Sequence, residues 1–190
     1  YERLIGLDSE ENLDFILSSA LLNDFLIPKR YRNSIIGTIV EICPTASDIL
    51  IRISAAIARY GGAALIIDYG YDGGKTGDTL QAVRGHRYCS PLESPGDIDL
   101  TAHVNFGQLI DVVDPTLIRV HGPEPQFAFL ERLGILERAK TLIQNANLSE
   151  KKQLELAVGR LINHDEMGTI FKAFAISRLD TALLPGFLEG

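Results

Sequence analysis

The chain has 190 residues, 46% of them hydrophobic, with 25 acidic against 18 basic side chains and a net charge of −7. That length supports one domain with a sizeable core. The acidic balance, with no basic run longer than Lys29-Arg30 or Lys151-Lys152, speaks against nucleic acid as a partner and would suit a cationic protein substrate.

In chain order, residues 2 to 17 read as a hairpin. Leu4, Ile5 and Leu7 precede the turn Asp8-Ser9-Glu10-Glu11, and Leu13, Phe15 and Leu17 alternate with Asp14 and Ile16. The β-branched run Ser34 to Ile42 predicts a strand that Pro44 ends. Thr45-Ala46-Ser47-Asp48 then opens a helix, with Thr45 or Ser47 able to accept from a free backbone N–H. Ile49, Leu50, Ile53, Ala56, Ile57 and Tyr60 form its apolar stripe, and Gly61-Gly62 closes it.

The next stretch is the most informative. Ala63 to Asp68 reads as a strand, apolar at every position up to Ile67, which fits burial on both faces under helices. It runs straight into Asp68-Tyr69-Gly70-Tyr71 and then a long, polar, glycine-rich excursion to about Val104. Ligands of open α/β sheets lie beyond the carboxyl ends of the strands, so a carboxylate and two tyrosines are placed there for chemistry. The excursion is too long for a simple connection.

Asn105 caps a helix to about Val113, with Gln108 as the third residue of a capping box. Thr116 to His121 reads as a strand, Gln126 to Leu133 as a short helix stopped by Gly134, and Ile135 to Ala146 and Glu150 to Ile162 as two more, the latter capped by Ser149. Met167 to Ser177 is a last strand and Leu183 to Gly190 a tail. No run of about 18 apolar residues exists, so no membrane span is expected. Cys43 and Cys89 lie far apart without CxxC spacing, so neither a zinc site nor a disulfide scaffold is expected, and no metal.

Five runs resemble the MidA-like family of S-adenosylmethionine-dependent methyltransferases, whose mitochondrial members assist respiratory complex I assembly. They are GGAALIIDYGY (Gly61 to Tyr71), GDTLQAVRGH (Gly77 to His86), DLTAHVNF (Asp99 to Phe106), FLERLGI (Phe129 to Ile135) and MGTIFKAFAI (Met167 to Ile176). The resemblance is to the second half of that family. It implies an α/β fold, the later half of a class I (Rossmann-like) methyltransferase sheet with helical insertions. Residues 1–190 would be the C-terminal part of one methyltransferase domain, with an active-site-side loop insertion at 72–104 and a helical insertion at 126–164. Ala63 to Asp68 would be the fifth strand, with Thr116 to His121 and Met167 to Ser177 the closing antiparallel pair. The chain starts at Tyr1 and its only methionine is Met167. A lost N-terminal half of the same domain is therefore expected as a partner, beside a protein substrate.

The resemblance also implies S-adenosylmethionine as cofactor, held in that family by a glycine-rich turn after the first strand and an acid after the second. Neither is found here. Gly73-Gly74 follows the wrong strand and reads as a flexible turn. No cofactor-binding residue is assigned, and the chain alone should hold the cofactor poorly. If the acceptor is an arginine guanidinium, carboxylates must orient it, because its planar donor fork pairs best with carboxylate oxygens.

Asp68 is the leading catalytic candidate, unless it caps a local turn. His86 and His103 are candidate bases, although a loop histidine can be a solvated bystander and His103 can serve as a structural link between loop and helix. Glu41, Tyr69, Tyr71, Asp78 and Arg84 are candidate substrate contacts. Against this, Glu41 can be an exposed strand-end acid, the tyrosines loop packing, and Asp78 an Asx-type loop anchor. His121 and His164 read as structural or surface residues. Asn105 stands where the family form HVDF has aspartate; both residues cap helices.

The protein would be cytoplasmic in a bacterium and in the mitochondrial matrix in a eukaryote. Two other readings remain. One is a non-catalytic assembly factor gripping a partner through Gln126 to Ile162. The other is a hydrolase using His86 or His103, for which no GxSxG elbow exists and Cys89 has no evident activation.

Overall fold

The computed structural model describes residues 1–23 and 26–188, so the last two residues of the expected tail lie outside the described residues. The chain divides into two units. The first comprises Tyr1–Ile42 with Thr76–His103, the second Cys43–Lys75 with Val104–Gly190.

In the first unit the expected hairpin forms. Arg3–Leu7 (β1) pairs antiparallel with Leu13–Leu17 (β2), in a register that places Gly6 opposite Asp14. Asp8 organises the turn, its Oδ1 accepting the backbone N–H groups of Glu10 at 2.8 Å and Asn12 at 2.9 Å. The run Ser34 to Ile42 is not a strand; it consists of turns and irregular chain. Gly37 takes φ +91°, which breaks the extended run, and β-propensity without a partner strand does not hold a strand together.

The excursion after Tyr71 is itself largely structured. It contains a three-stranded antiparallel sheet in the order β5-β4-β6, built from Gln81–Arg84 (β4), Arg87–Cys89 (β5) and Asp99–Thr101 (β6). Gly85 and His86, with φ of +55° and +63°, form the two-residue turn between β4 and β5. Two positive φ values in succession match the twist of a tight hairpin.

The second unit holds a four-stranded mixed sheet in the order β7-β3-β9-β8. Ala63–Tyr71 (β3) pairs in parallel with the short Val104–Asn105 (β7) and antiparallel with Phe171–Arg178 (β9). Ile118–Pro125 (β8) lies antiparallel on the far side of β9, with a bulge between His121 and Glu124. The expected antiparallel pair is thus present, shifted toward the C-terminus at both members. The segment expected as the start of the last strand is instead a short helix, Met167–Ile170 (α6). There Gly168 presses so close to Ile162 that a Cβ would stand 2.3 Å from its carbonyl oxygen.

Helix Pro44–Tyr60 (α1) forms as expected but starts one residue earlier. Pro44 occupies its first turn, and no side chain caps it. Proline suits that position because its φ is preset and its missing N–H would be unpaired anyway. The buried stripe runs through Ser47, Leu50, Ser54 and Ile57, rotated from the expected one, so that Ile49 and Tyr60 face outward. Phe106–Asp111 (α2) follows β7, with Asn105 Oδ1 accepting the Gln108 N–H at 3.1 Å. Gln126–Arg132 (α3), Ile135–Gln144 (α4) and Leu148–Ile162 (α5) match the expected helices. The cap of α5, however, is Asn147 rather than Ser149, in a reciprocal box with Glu150.

The strand buried on both faces is β9, not β3. Phe174 and Ile176 pack with Leu50, Ile57, Phe106 and Leu109, while Ala173 and Ala175 pack on the opposite face with Phe129 and Phe187. In β3 only Ala64 and Ile66 join the first cluster. Leu65 and Ile67, on the other face, are 53% and 42% exposed. An all-apolar run does not distinguish these two cases, because each face is covered separately.

Candidate functional site

The candidates divide between the two units. In the second unit, the carboxyl end of β3 carries Asp68, Tyr69, Gly70 and Tyr71. Asp68 is partly buried and its Oδ1 accepts its neighbour's backbone N–H, that of Tyr69, at 2.8 Å. Across the ladder Asp68 lies opposite Lys172, and Tyr69 opposite Phe171. The Tyr69 and Phe171 rings meet edge to face, with centroids 5.5 Å apart, an arrangement their quadrupoles favour. Tyr71 is buried, so it belongs to the packing around the strand end. Gly70 is required by close approach: a Cβ there would stand 2.1 Å from the carbonyl oxygen of Val104. This tight contact lets β7 pair with β3 and starts α2 next to the strand end.

In the first unit a hydrogen-bonded cluster joins residues distant in sequence. Both oxygens of Glu41 are occupied by Thr79: Oε1 accepts its backbone N–H at 2.8 Å and Oε2 its hydroxyl at 2.5 Å. Thr79 Oγ1 in turn accepts the backbone N–H of His103 at 2.9 Å. The His103 ring reaches Gln81, with Nε2 of each side chain 3.4 Å apart. All four side chains are partly buried. Neighbouring Asp78 accepts two hydrogen bonds from the Arg3 guanidinium, at 2.6 and 3.0 Å, and one from the Leu80 N–H at 3.3 Å. The guanidinium holds the Asp78 carboxyl below the usual aspartate range. Arg84 is exposed and pairs with Glu93. His86 stands exposed at the tip of the β4–β5 turn.

Glu41 is therefore a partner of Thr79 and Asp78 a partner of Arg3, each carboxylate with both oxygens in use. Thr79 and Gln81 did not figure among the sequence candidates. The signal that could have found them is their place in the family-matching run GDTLQAVRGH, inside a segment that otherwise read as loop.

A glycine cradle for a cofactor would show backbone closing on a space that a Cβ would fill. Gly74 and Gly77 have nothing within 4 Å of where a Cβ would stand, and the tight glycines Gly70, Gly122 and Gly168 close on the protein's own atoms. The described residues do not by themselves fit the cradle of an S-adenosylmethionine site. Among them there is also no cluster of three or more histidine, cysteine or acidic residues that could hold a metal ion, and no helix is long and apolar enough to cross a membrane.

Residues 1–124 match the family described as "Putative S-adenosyl-L-methionine-dependent methyltransferase". Among curated relatives, the mitochondrial protein arginine methyltransferase NDUFAF7 of Xenopus tropicalis is 36% identical over 193 residues, covering 97% of this chain and 43% of that protein. The zebrafish (Danio rerio) NDUFAF7 is 41% identical over 145 residues, covering 76% of this chain and 33% of that protein. A solved Burkholderia thailandensis structure bound to S-adenosyl-homocysteine superposes with a TM-score of 0.73 at 25% identity, covering 95% of this chain and 48% of that one. Another from the same organism reaches a TM-score of 0.76 at 24% identity, covering 99% and 51%. The chain spans less than half the length of the curated relatives named here.

Proposed function

The chain belongs to the MidA-like family of S-adenosylmethionine-dependent methyltransferases, and from that premise we propose that it forms the later part of a protein arginine methyltransferase. The observation that carries the reading is the end of β3. A carboxylate, Asp68, lies within the C-terminal half of β3, which runs on to Tyr71, and across the ladder from Lys172. The Tyr69–Phe171 ring pair occupies the next position, on the opposite face of the pleat. Carboxylates suit the planar donor fork of a guanidinium.

S-adenosylmethionine supplies the methyl group in such a reaction. Because the described residues lack a cradle for it, the reading assigns that cradle to polypeptide corresponding to the remaining length of the relatives. In this reading the second unit contributes Asp68 for orienting the acceptor. Nitrogen methylation also releases a proton, and of the first unit's two candidate bases His103 is the more favourable and His86, at an exposed hairpin tip, the less. The relatives named mitochondrial support a mitochondrial setting, and a role in respiratory complex assembly is proposed from the family resemblance alone.

The test uses a polypeptide extended to the relatives' full length, with isotope-labelled methyl donor and arginine-containing protein acceptors. Asp68→Asn keeps the shape and removes the charge, so kcat should fall by about a hundredfold or more with the fold intact. Label transfer that is insensitive to this change would remove Asp68 from the chemistry. No cofactor binding at all by the extended protein would overturn the enzymatic reading.

One observation favours a non-catalytic alternative. Helix α5 buries no residue, and Leu148 and Leu156 are 86% and 65% exposed. An apolar helix face of this kind suits capture of a partner subunit. In that case alanine substitutions along α4 and α5 abolish capture while Asp68→Asn leaves it intact.

A further inference from the structure

Three elements of the first unit meet at Thr79: the irregular chain before α1, the segment leading into β4, and the segment after β6. The chain spends two charge-assisted hydrogen bonds from Glu41 on this one residue, and charge-assisted bonds are roughly twice as strong as neutral ones. The beneficiary of that anchoring is His103, whose backbone N–H donates to the Thr79 hydroxyl oxygen. Thr79 can accept there because its own hydroxyl hydrogen is directed at Glu41. The anchored backbone carries an imidazole whose Nε2 faces the amide nitrogen of Gln81, and Gln81 is itself fixed in the ladder opposite Thr101.

We propose that Gln81 and the Glu41–Thr79 clamp are positioning residues that hold the His103 imidazole with its single proton on Nδ1 and its lone pair on Nε2. The amide nitrogen of Gln81 carries only hydrogens, so the ring atom facing it must accept. A neutral imidazole has one proton, which then resides on Nδ1. When Nε2 takes up a proton, the Gln81 amide turns end for end and its carbonyl oxygen accepts the new N–H. Gln81 can thus partner both protonation states without leaving its place. Glu41 in this arrangement anchors backbone and does not touch substrate. The link to methyl transfer rests on the reading of His103 as the base, whereas the tautomer itself does not.

Long-range proton–nitrogen correlation NMR of the nitrogen-15-labelled chain tests this directly, with the His103 ring signals assigned by their loss in His103→Gln. The expected spectrum at neutral charge has a pyrrole-type Nδ1 and a pyridine-type Nε2. Gln81→Glu offers an acceptor in place of the donor and should move the proton to Nε2. Gln81→Leu should leave a mixture. A ring already protonated on Nε2 in the unaltered chain, or one unmoved by both substitutions, overturns the assignment.

For the clamp, Thr79→Val deletes the hydroxyl at nearly constant shape and should speed exchange of the His103 backbone amide by about tenfold or more. Thr79→Ser should restore the slow exchange. Equal exchange in all three proteins overturns the clamp. If the extended protein fails to transfer methyl groups but these NMR results hold, the enzymatic reading falls and the positioning of His103 stands.

Discussion

His121, which the sequence left as either structural or surface, is buried. It is 3% exposed in β8, its Nε2 lies 2.9 Å from Ser177 Oγ in β9, and its ring packs against Phe187. Burial, and secondarily the positive charge of Arg119, push its pKa below the ordinary value of 6.5. Folding therefore favours the neutral ring, while the unfolded chain takes up a proton near pH 6.5. The sign follows: this stability is fully present above the unfolded pKa and is lost as pH falls from there through the lower folded pKa. Thermal unfolding should show Tm dropping between about pH 7.5 and about pH 5.5, with a shallower drop in His121→Phe. An identical slope in the two proteins would assign the pH dependence to other groups. At this scale the sequence was a fair guide to residue type but not to partnership. That Glu41 serves Thr79, and Asp78 serves Arg3, depends on contacts between residues 38 and 75 positions apart. Local spacing carries no record of such pairs.

Elements whose signal is local were legible, and those that depend on a covering layer were not. The hairpin β1–β2, helices α1 to α5 and the β8–β9 pair follow from apolar periodicity and from turn and cap residues. The run Ser34 to Ile42 failed because β-branched residues without a partner strand do not make a ladder, and Gly37 breaks the run. The segment 72–104 looked like loop because its strands have only two to four residues, below the length at which alternation is readable. Capping is the strongest of the local signals in α5. Asn147 Oδ1 accepts the Glu150 N–H at 3.0 Å, and Glu150 Oε2 accepts the Asn147 N–H at 2.8 Å. Since α5 buries no residue, little tertiary packing compensates for losing this box. Asn147→Ala should destabilise the helix by about 1 kcal/mol, read as faster amide exchange confined to its first turns. Unchanged protection there would mean that contacts with α3, α4 and α6 hold the helix start instead.

Across the whole molecule, the sheet of the second unit is covered unevenly, and this has a consequence for association. β9 is sealed on both faces, whereas β3 presents Leu65 and Ile67 half exposed. Among the described residues β3 is paired along its length only with β9, its other edge meeting β7 at Gly70 and Tyr71 alone. A strand with a free edge and an apolar face is a template for pairing with another chain. The net charge of −7 opposes approach of copies, but in salt the repulsion is largely screened beyond the Debye length of about 8 Å at physiological ionic strength. The apolar run that sequence reading took for a doubly covered strand thus retains a physical meaning, since residues of this type are selected for contact with something. The relatives are more than twice as long as the portion matched here, which makes a polypeptide extended to that length the test of whether β3 becomes covered. The chain by itself should accordingly self-associate with rising concentration and rising salt. Leu65→Lys, placing a charge on the exposed face without touching the partly buried Ala64 and Ile66 side, should keep it monomeric in sedimentation velocity runs. In the polypeptide extended to full length the same substitution should have the opposite sign, burying a charge and costing several kcal/mol of stability. Loss of stability in the short chain would mean that the face is already covered there, and no loss in the long one would mean that it stays open to water.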